Sequence, residues 1–278
     1  MAEKKYSLEL PVLSGGHAPP DASGAIVLAS PDQPFVTGKQ QTPVGTVPRI
    51  SAALTGRDRL GTLKARLGVN RSNYRVEPGL YALGCPDETS PVLASANYKM
   101  SFDCLRGSLS FRDAWILVLD TKGINVWCAA GKGTFGTNEL VYRIAASGLK
   151  KVVAHRRIIL PQLAAPGVAA HTVKLLSGFR VHYGPVRAAD LPAYLDAGLS
   201  AGREMRKVSF GLWDRAVLIP VELAGAAKYF FLASLAALLL AVLLGPAGLA
   251  ANLFHDGLFA VAALGSGLLA GAVLHPLA

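Results

Sequence analysis

Hydrophobic and polar positions change rhythm twice along this chain of 278 residues. Over residues 1–45, Gly, Pro, Ser and Gln interrupt every apolar run. That pattern predicts a loop-rich segment with one short strand at Ala25–Leu28. The next stretch, with "RDRLGTLKARLGVNRSNYRVEPGLYALG", is rich in turn residues. From about residue 90, short apolar runs alternate with helical periodicity. Val92–Ala96 and Trp115–Asp120 read as buried strands. Leu140–Ser147 reads as a helix ended by Gly148, and Lys151–Ala154 as a strand. Val168–Leu176 reads as a helix ended by Gly178. Arg180–Tyr183 reads as a strand leading into Gly184-Pro185, and Asp190–Ala197 as a helix. Strands alternating with helices predict the α/β class, with a parallel, doubly wound sheet over residues 46–210. Such a sheet binds ligands at the carboxyl ends of its strands.

The second change of rhythm comes after residue 210. A linker over 211–228 carries Arg215 and Lys228, and then no charged side chain occurs from Tyr229 to Phe254. About 20 apolar residues suffice for a helix to cross a bilayer core. "FFLASLAALLLAVLLG" is apolar all round rather than along one stripe, which favours a lipid-facing helix. A second uncharged run covers Gly257–Leu274, and His255-Asp256 reads as the polar loop between the two. At least two spans are therefore predicted over 229–278, in a natural chain expected to be longer. Arg203, Arg206, Lys207, Arg215 and Lys228 precede the first span, while the loop after it has no Lys or Arg. The positive-inside rule then predicts a multi-pass protein of the cytoplasmic membrane, with residues 1–228 in the cytoplasm. The start "MAEKKYSLEL" is polar and charged, unlike a secretory signal.

Composition agrees with this division. Apolar residues make up 51 % of the chain and charged residues 17 %, and the apolar excess lies in the C-terminal run. The formal net charge is +10, but its sources are scattered apart from Lys150-Lys151 and Arg156-Arg157. No basic stripe with interleaved aromatics appears, so a nucleic-acid partner is not expected. A lipid bilayer with anionic headgroups is the simpler partner for that charge. The three cysteines, Cys85, Cys104 and Cys128, form no CxxC pair. A disulfide framework, a structural zinc site and an iron–sulfur cluster are therefore not expected within this chain. Cys85 and Cys104 have no second soft ligand beside them in sequence and read as core or loop residues.

The most informative stretch is Asn125–Thr137, "NVWCAAGKGTFGT". Gly131-Lys-Gly133-Thr-Phe-Gly136 matches G-x-G-x-x-G after a strand and before a helix. An acid about 20 positions later should hold a ribose, yet His155-Arg156-Arg157 stands there. A second reading makes Cys128 a nucleophile with Lys132 four residues on, although no His or orienting acid is near. A third makes Cys128 the axial ligand of a macrocycle whose metal is already held in a plane. Trp127 and the small Ala129, Ala130 and Gly131 suit close approach of a flat group. A buried, packed cysteine is the bland fourth reading.

"NVWCAAGKGTF" resembles the cap-helix signature of the HgcA family, the corrinoid proteins of microbial mercury methylation. "RVEPGLYALGCPDETSPVLASANYKMSFDCLR", "HRRIILPQLAAPGV" and "GFRVHYGPVRAADLPAYL" resemble the corrinoid-binding domain of the corrinoid iron–sulfur protein large subunit. Together these stretches span residues 45–210. The membrane run fits the first family and not the soluble second one.

The resemblance implies a Rossmann-like domain holding a cobalamin-type corrinoid, with Cys128 as axial cobalt ligand. Asn125–Phe135 would be a helical cap near residues 125–136. Asn125, Val126, Trp127, Ala129, Ala130, Gly131 and Lys132 would line the cap, and Asn97, Gln162, Pro166, Gly167, Tyr183 and Gly184 the rim. It implies a methyltransferase that moves a methyl group from methylcobalt(III) to an Hg(II) thiolate, giving methylmercury. A thiolate trans to the methyl group pushes electron density toward the metal, as in thiolate-ligated haem enzymes. A methyltetrahydrofolate-dependent donor and a ferredoxin-like partner with two [4Fe–4S] clusters, HgcB, are implied as well. Two alternatives remain open: a membrane-anchored methyl carrier of one-carbon metabolism with another acceptor, and a non-catalytic corrinoid-binding module.

Overall fold

A computed structural model describes residues 26–278. The chain begins with β1 (Val36–Thr42), β2 (Gly45–Ile50), α1 (Gly56–Arg66), β3 (Gly79–Leu83), β4 (Val92–Ala96), α2 (Lys99–Ser108) and β5 (Ala114–Leu119). It continues with α3 (Val126–Gly131), α4 (Thr137–Ala146), α5 (Leu149–Val152), β6 (Arg157–Leu160), α6 (Ala170–Ser177), β7 (Arg180–Tyr183) and α7 (Leu191–Asp196). Two long helices follow, α8 (Leu212–Leu244) and α9 (Leu249–Leu277). The described residues gather into two compact units. One holds the chain up to Ala53 together with Arg75–Arg206, and the other holds Leu54–Tyr74 together with Lys207–Ala278.

The first unit is built on one sheet of order β1-β2-β3-β5-β4-β6-β7. β5, β4, β6 and β7 run parallel, as the strand–helix alternation predicts. The sheet as a whole is mixed, which corrects the all-parallel expectation. β3 pairs antiparallel with β5, and β1 pairs antiparallel with β2. The hairpin β1–β2 also replaces part of the expected N-terminal loops. Gly45, at φ +116, supplies its tight turn in a region open to glycine. Of the expected strand Ala25–Leu28, Ala25 lies outside the described residues. Ile26–Leu28 is irregular, with the Val27 amide donating to the Ala146 carbonyl at 2.7 Å.

β4 and β5 are buried at every position, the mark of strands covered on both faces. On one face Leu140 and Ile144 of α4 and Val173 of α6 meet Leu117, Ile158 and Leu160. On the other, Phe102 and Leu105 of α2 and Leu191 and Tyr194 of α7 meet Tyr81, Ile116 and Ile159. The expected strand Lys151–Ala154 is instead the helical turn α5, and β6 begins at Arg157. Gly148, at φ +61, restarts a helix there, and the buried Val152 and Val153 pack from that turn rather than from a strand.

The connections create a break in direction. From β4 the chain passes through α2 to β5 on one side. From β5 it passes through α3, α4 and α5 back across β4 to β6 on the other. The crevice outside the carboxyl ends of β4 and β6 is therefore the topological switch point, where open α/β sheets bind ligands.

In the second unit, α8 and α9 are both long and apolar enough to cross a membrane, and only 6 % of each apolar window is buried. α8 starts at Leu212, so the expected linker over 211–228 is helical. The turn between the helices falls at Gly245–Gly248 and not at His255-Asp256. Pro246 cannot continue a helix with a free amide. The Asn252 amide group spans the turn, donating to the Gly245 carbonyl at 2.9 Å and accepting from the Ala247 amide at 3.1 Å. His255 and Asp256 lie within the second helix, where their side chains meet at 3.0 Å.

Candidate functional site

The parallel strands carry four of the sequence-singled positions to one edge. β4 leads into Asn97, β5 leads into the loop before α3, β6 leads into the turn Gln162–Ala164, and β7 ends at Tyr183, just before Gly184.

Asn97 is only 2 % exposed, and its side chain is occupied. Its Oδ1 accepts from the Thr121 amide at 3.1 Å, the Thr121 hydroxyl at 2.8 Å and the Gly123 amide at 2.9 Å. Its Nδ2 donates to Asp120 Oδ1 at 3.3 Å. Asn97 therefore shapes the loop under α3. Lys122 (φ +59) and Gly123 (φ +74) both take left-handed backbone there, a conformation that needs such support at a lysine. Asp120 is partly buried, which raises its pKa, but the hydrogen bonds and charge of Lys122 outweigh that and hold the carboxyl below its ordinary value. Glu139 Oε1 braces the same loop, accepting from the Asp120 amide at 2.8 Å while paired with Arg143 at 2.8 Å.

The loop delivers Asn125 as the N-cap of α3. Its Oδ1 accepts from the Cys128 amide at 2.9 Å, satisfying one of the free donors of the first turn. Ala129 and Ala130 are buried with Phe135, Ala164 and Val168. Trp127, 60 % exposed, and Cys128 face outward, with Val126 half-buried. Gly131 and Lys132 are also exposed. The helix is shorter than the expected cap: it stops at Gly131, and Gly133 turns the chain at φ +77 toward α4. The expected helical cap over Asn125–Phe135 is therefore helical only over Val126–Gly131, and the glycines after it turn the chain.

α3 packs on the turn after β6. A Cβ on Gly167 would run into the Phe135 carbonyl and lie 3.0 Å from Ala130 Cα, so only glycine fits this approach. The Thr137 amide donates to the Gly167 carbonyl at 3.2 Å, and the Thr137 hydroxyl accepts from the Ala169 amide at 2.8 Å. Pro166 is exposed beside it, and Gln162 Oε1 accepts from Arg206 Nη1 at 2.7 Å. The Tyr183 hydroxyl donates to the Val168 carbonyl at 2.5 Å, and burial pushes its pKa up, which keeps it a donor. Gly184 is buried, its amide donating to the Leu160 carbonyl at 2.8 Å.

The structure thus gathers Asn97, the α3 motif, Gly167 and Tyr183 along one edge. Their work is divided. Asn97, Tyr183 and Gly184 hold loops, while Trp127, Cys128, Gly131 and Lys132 present surface. Thr121 and Glu139, which brace the cap, carried no signal in sequence, because their value lies in partners about twenty residues away. Cys85 lies in the loop after β3, as read, whereas Cys104 is exposed on α2 and belongs to neither core nor loop. Among the described residues no three His, Cys, Asp or Glu side chains gather to hold a metal ion. Cys128 stands as a single sulfur donor, able to act as a nucleophile or as one ligand to a metal held by other means.

A family model for the CO dehydrogenase/acetyl-CoA synthase delta subunit matches residues 63–195, the span from α1 through α7 that contains the whole parallel edge. The chain is also similar to gamma subunits of acetyl-CoA decarbonylase/synthase complexes. It is 34 % identical over 128 residues to that of Methanopyrus kandleri, covering 45 % of this chain and 27 % of the relative. It is 34 % identical over 128 residues to that of Methanothermobacter thermautotrophicus, covering 45 % and 28 %. It is 38 % identical over 97 residues to that of Methanocaldococcus jannaschii, covering 34 % and 20 %. The matches therefore span about a quarter of each relative's length, and α8 and α9 lie outside the family match.

Proposed function

We propose that this chain is a membrane-anchored, corrinoid-dependent methyltransferase whose acceptor is inorganic Hg(II). The observation that carries the reading is the outward-facing Cys128 in the first turn of α3, capped by Asn125, at the carboxyl edge beside the β4–β6 switch point.

The donor set fits a corrinoid. A metal already held by its own macrocycle would need only one protein donor, and the exposed Cys128, beside Trp127, Gly131 and Lys132, would supply it. Cys128 would hold the metal, and Trp127, Gly131 and Lys132 would border the ring. When bound, the corrinoid supplies a cobalt able to accept and release a methyl group. The Cys128 thiolate would donate electron density to that metal, which would favour a soft acceptor such as Hg(II). The protein's own part is positional. Asn125 holds the Cys128 backbone, and Asn97 with Thr121 fixes the loop beneath it. Gly167 lets the β6 turn close against α3. α8 and α9 would anchor the unit in the cytoplasmic membrane. An external low-potential reductant of the ferredoxin type, such as HgcB, and a methyltetrahydrofolate-dependent donor complete the reading.

The relatives favour a second acceptor reading. They are named for acetyl-CoA decarbonylase/synthase complexes, which supports a methyl carrier of one-carbon metabolism on the same site.

Visible spectra of the purified, corrinoid-loaded protein test the site. Wild type, Cys128→Ala and Cys128→His should give three different cobalt spectra, and identical spectra would remove Cys128 from the metal. Transfer of labelled methyl from loaded protein to an Hg(II) thiolate tests the acceptor. No transfer under anaerobic reducing conditions, with the spectra still distinct, would overturn the Hg(II) acceptor and leave the carrier and the non-catalytic module.

A further inference from the structure

α1 and the turn after it have an outer face that the methyl-transfer reading does not use. With 3.6 residues per turn, Leu60, Leu63 and Leu67 fall within about 60° of arc on one side of the helix. They are 51 %, 54 % and 42 % exposed, and Val69 just beyond is 55 % exposed. The opposite side is buried, with Ala65 1 % and Asp58 7 % exposed. The only acid of the helix is thus turned inward, where it forms a capping box with Thr55. Arg57 and Lys64 flank the leucine stripe on one side, and Arg59 and Arg66 flank it on the other.

A leucine stripe left in water is costly, and exposed basic side chains on both sides of it fit an anionic lipid surface as the group that covers it. The leucines reach the acyl boundary while Arg and Lys extend to the headgroups. The segment also belongs to the same compact unit as the two apolar helices. A Cβ on Gly68 would lie 3.9 Å from Ala224 Cβ, in the first half of α8. Each cation near an anionic surface adds about 1 kcal/mol.

We propose that α1 lies on an anionic lipid surface, inserting Leu60, Leu63 and Leu67 and binding headgroups through Arg57, Arg59 and Lys64. The proposal rests on the reading of α8 and α9 as a membrane anchor. It gives the insertion 54–74 the task of holding its unit flat on the bilayer.

The full chain in nanodiscs of phosphatidylcholine, with or without phosphatidylglycerol, supplies the test. Hydrogen exchange of the amides of residues 57–69 should slow about tenfold in the anionic discs, the factor that about 1.4 kcal/mol gives. The combined change Arg57→Gln, Arg59→Gln and Lys64→Gln, all at exposed or surface-flanking positions, should abolish that difference. In discs with brominated acyl chains, Leu63→Trp should lose most of the emission it adds to the parent protein. Equal exchange in both discs and an unquenched Leu63→Trp, with residues 229–244 still protected, would overturn this proposal and leave the anchor intact. Exchange of 229–244 at the rate of exposed backbone, with the protein failing to float with lipid, would overturn the anchor reading itself. Protection of 57–69 that depends on protein concentration rather than lipid would mean that a second copy covers the stripe, and would also overturn it.

Discussion

The Asn97 side chain, just after β4, accepts a hydrogen bond of 2.8 Å from the Thr121 hydroxyl, two residues beyond β5. The same oxygen takes the amides of Thr121 and Gly123, so one buried carbonyl holds three donors from the loop that leads to α3. Replacing it with an apolar side chain leaves the Thr121 and Gly123 amides without this acceptor, while the Thr121 hydroxyl keeps the Ile124 carbonyl at 2.7 Å. Each such group costs about 1–3 kcal/mol. Asn97→Leu is expected to destabilise the first unit by about 3 kcal/mol, read as a lower thermal midpoint. It should also perturb the Cys128 region, read as faster thiol labelling.

Asn125 caps α3 through the Cys128 amide. Loss of an N-cap of this type costs about 1 kcal/mol. With so short a helix, that loss falls on the turn that carries the sulfur. Asn125→Ala should increase hydrogen exchange at the Cys128 amide, while Asn125→Asp or Asn125→Ser restores protection. Equal exchange in all four proteins would show that the cap does not hold the turn.

Gly167 has no room for a side chain, since its Cβ would meet the Phe135 carbonyl and Ala130. Gly167→Ala must move the β6 turn or α3, at a cost of about 1–3 kcal/mol typical of overpacking. The expected outcome is a lower melting temperature together with a changed cobalt spectrum in the loaded protein. Gly178→Ala is a useful contrast. A Cβ there meets nothing within 4 Å, so its strain comes from φ +76 alone and lies away from α3.

The Asp87 carboxyl binds the Ser90 hydroxyl, the Thr89 hydroxyl and both backbone amides, and these bonds lower its pKa to about 2. A carboxyl depressed in the folded state contributes stability above its unfolded value, near 4, and loses it as pH falls toward 2. The Asp87 carbonyl also accepts from Trp115 Nε1 at 2.8 Å, so loosening of this turn reaches the start of β5. Below pH 4 the wild-type thermal midpoint should fall more steeply than that of Asp87→Asn. Parallel curves would show that the turn is not acid-sensitive.

Much of the sheet was legible because buried strands write themselves as continuous apolar runs. Val92–Ala96 and Arg180–Tyr183 match the expected bounds, and Ala114–Leu119 is one residue displaced. β1 was hidden because it is a polar edge strand, with Lys39, Gln40 and Gln41 alternating in and out of solvent and no apolar period. The Val152-Val153 pair misled because burial at a helix end and burial in a strand look alike over two residues. The turn at Gly245–Gly248 was obscured by His255-Asp256, whose charge mimics a loop although the helix simply continues through them.

By itself the sequence determined the α/β alternation, the two apolar helices and the motif around Cys128, because each depends on residues close together in the chain. Only the tertiary structure decided that β3 runs against β5, that Asn97 serves the cap loop, and that the α1 leucines face outward. Those outcomes depend on hydrogen bonds and packing between residues far apart in sequence, which no local period encodes. The same holds for Cys128: the motif named it, but the crossing of the chain behind β4 set it at the carboxyl edge with its sulfur exposed.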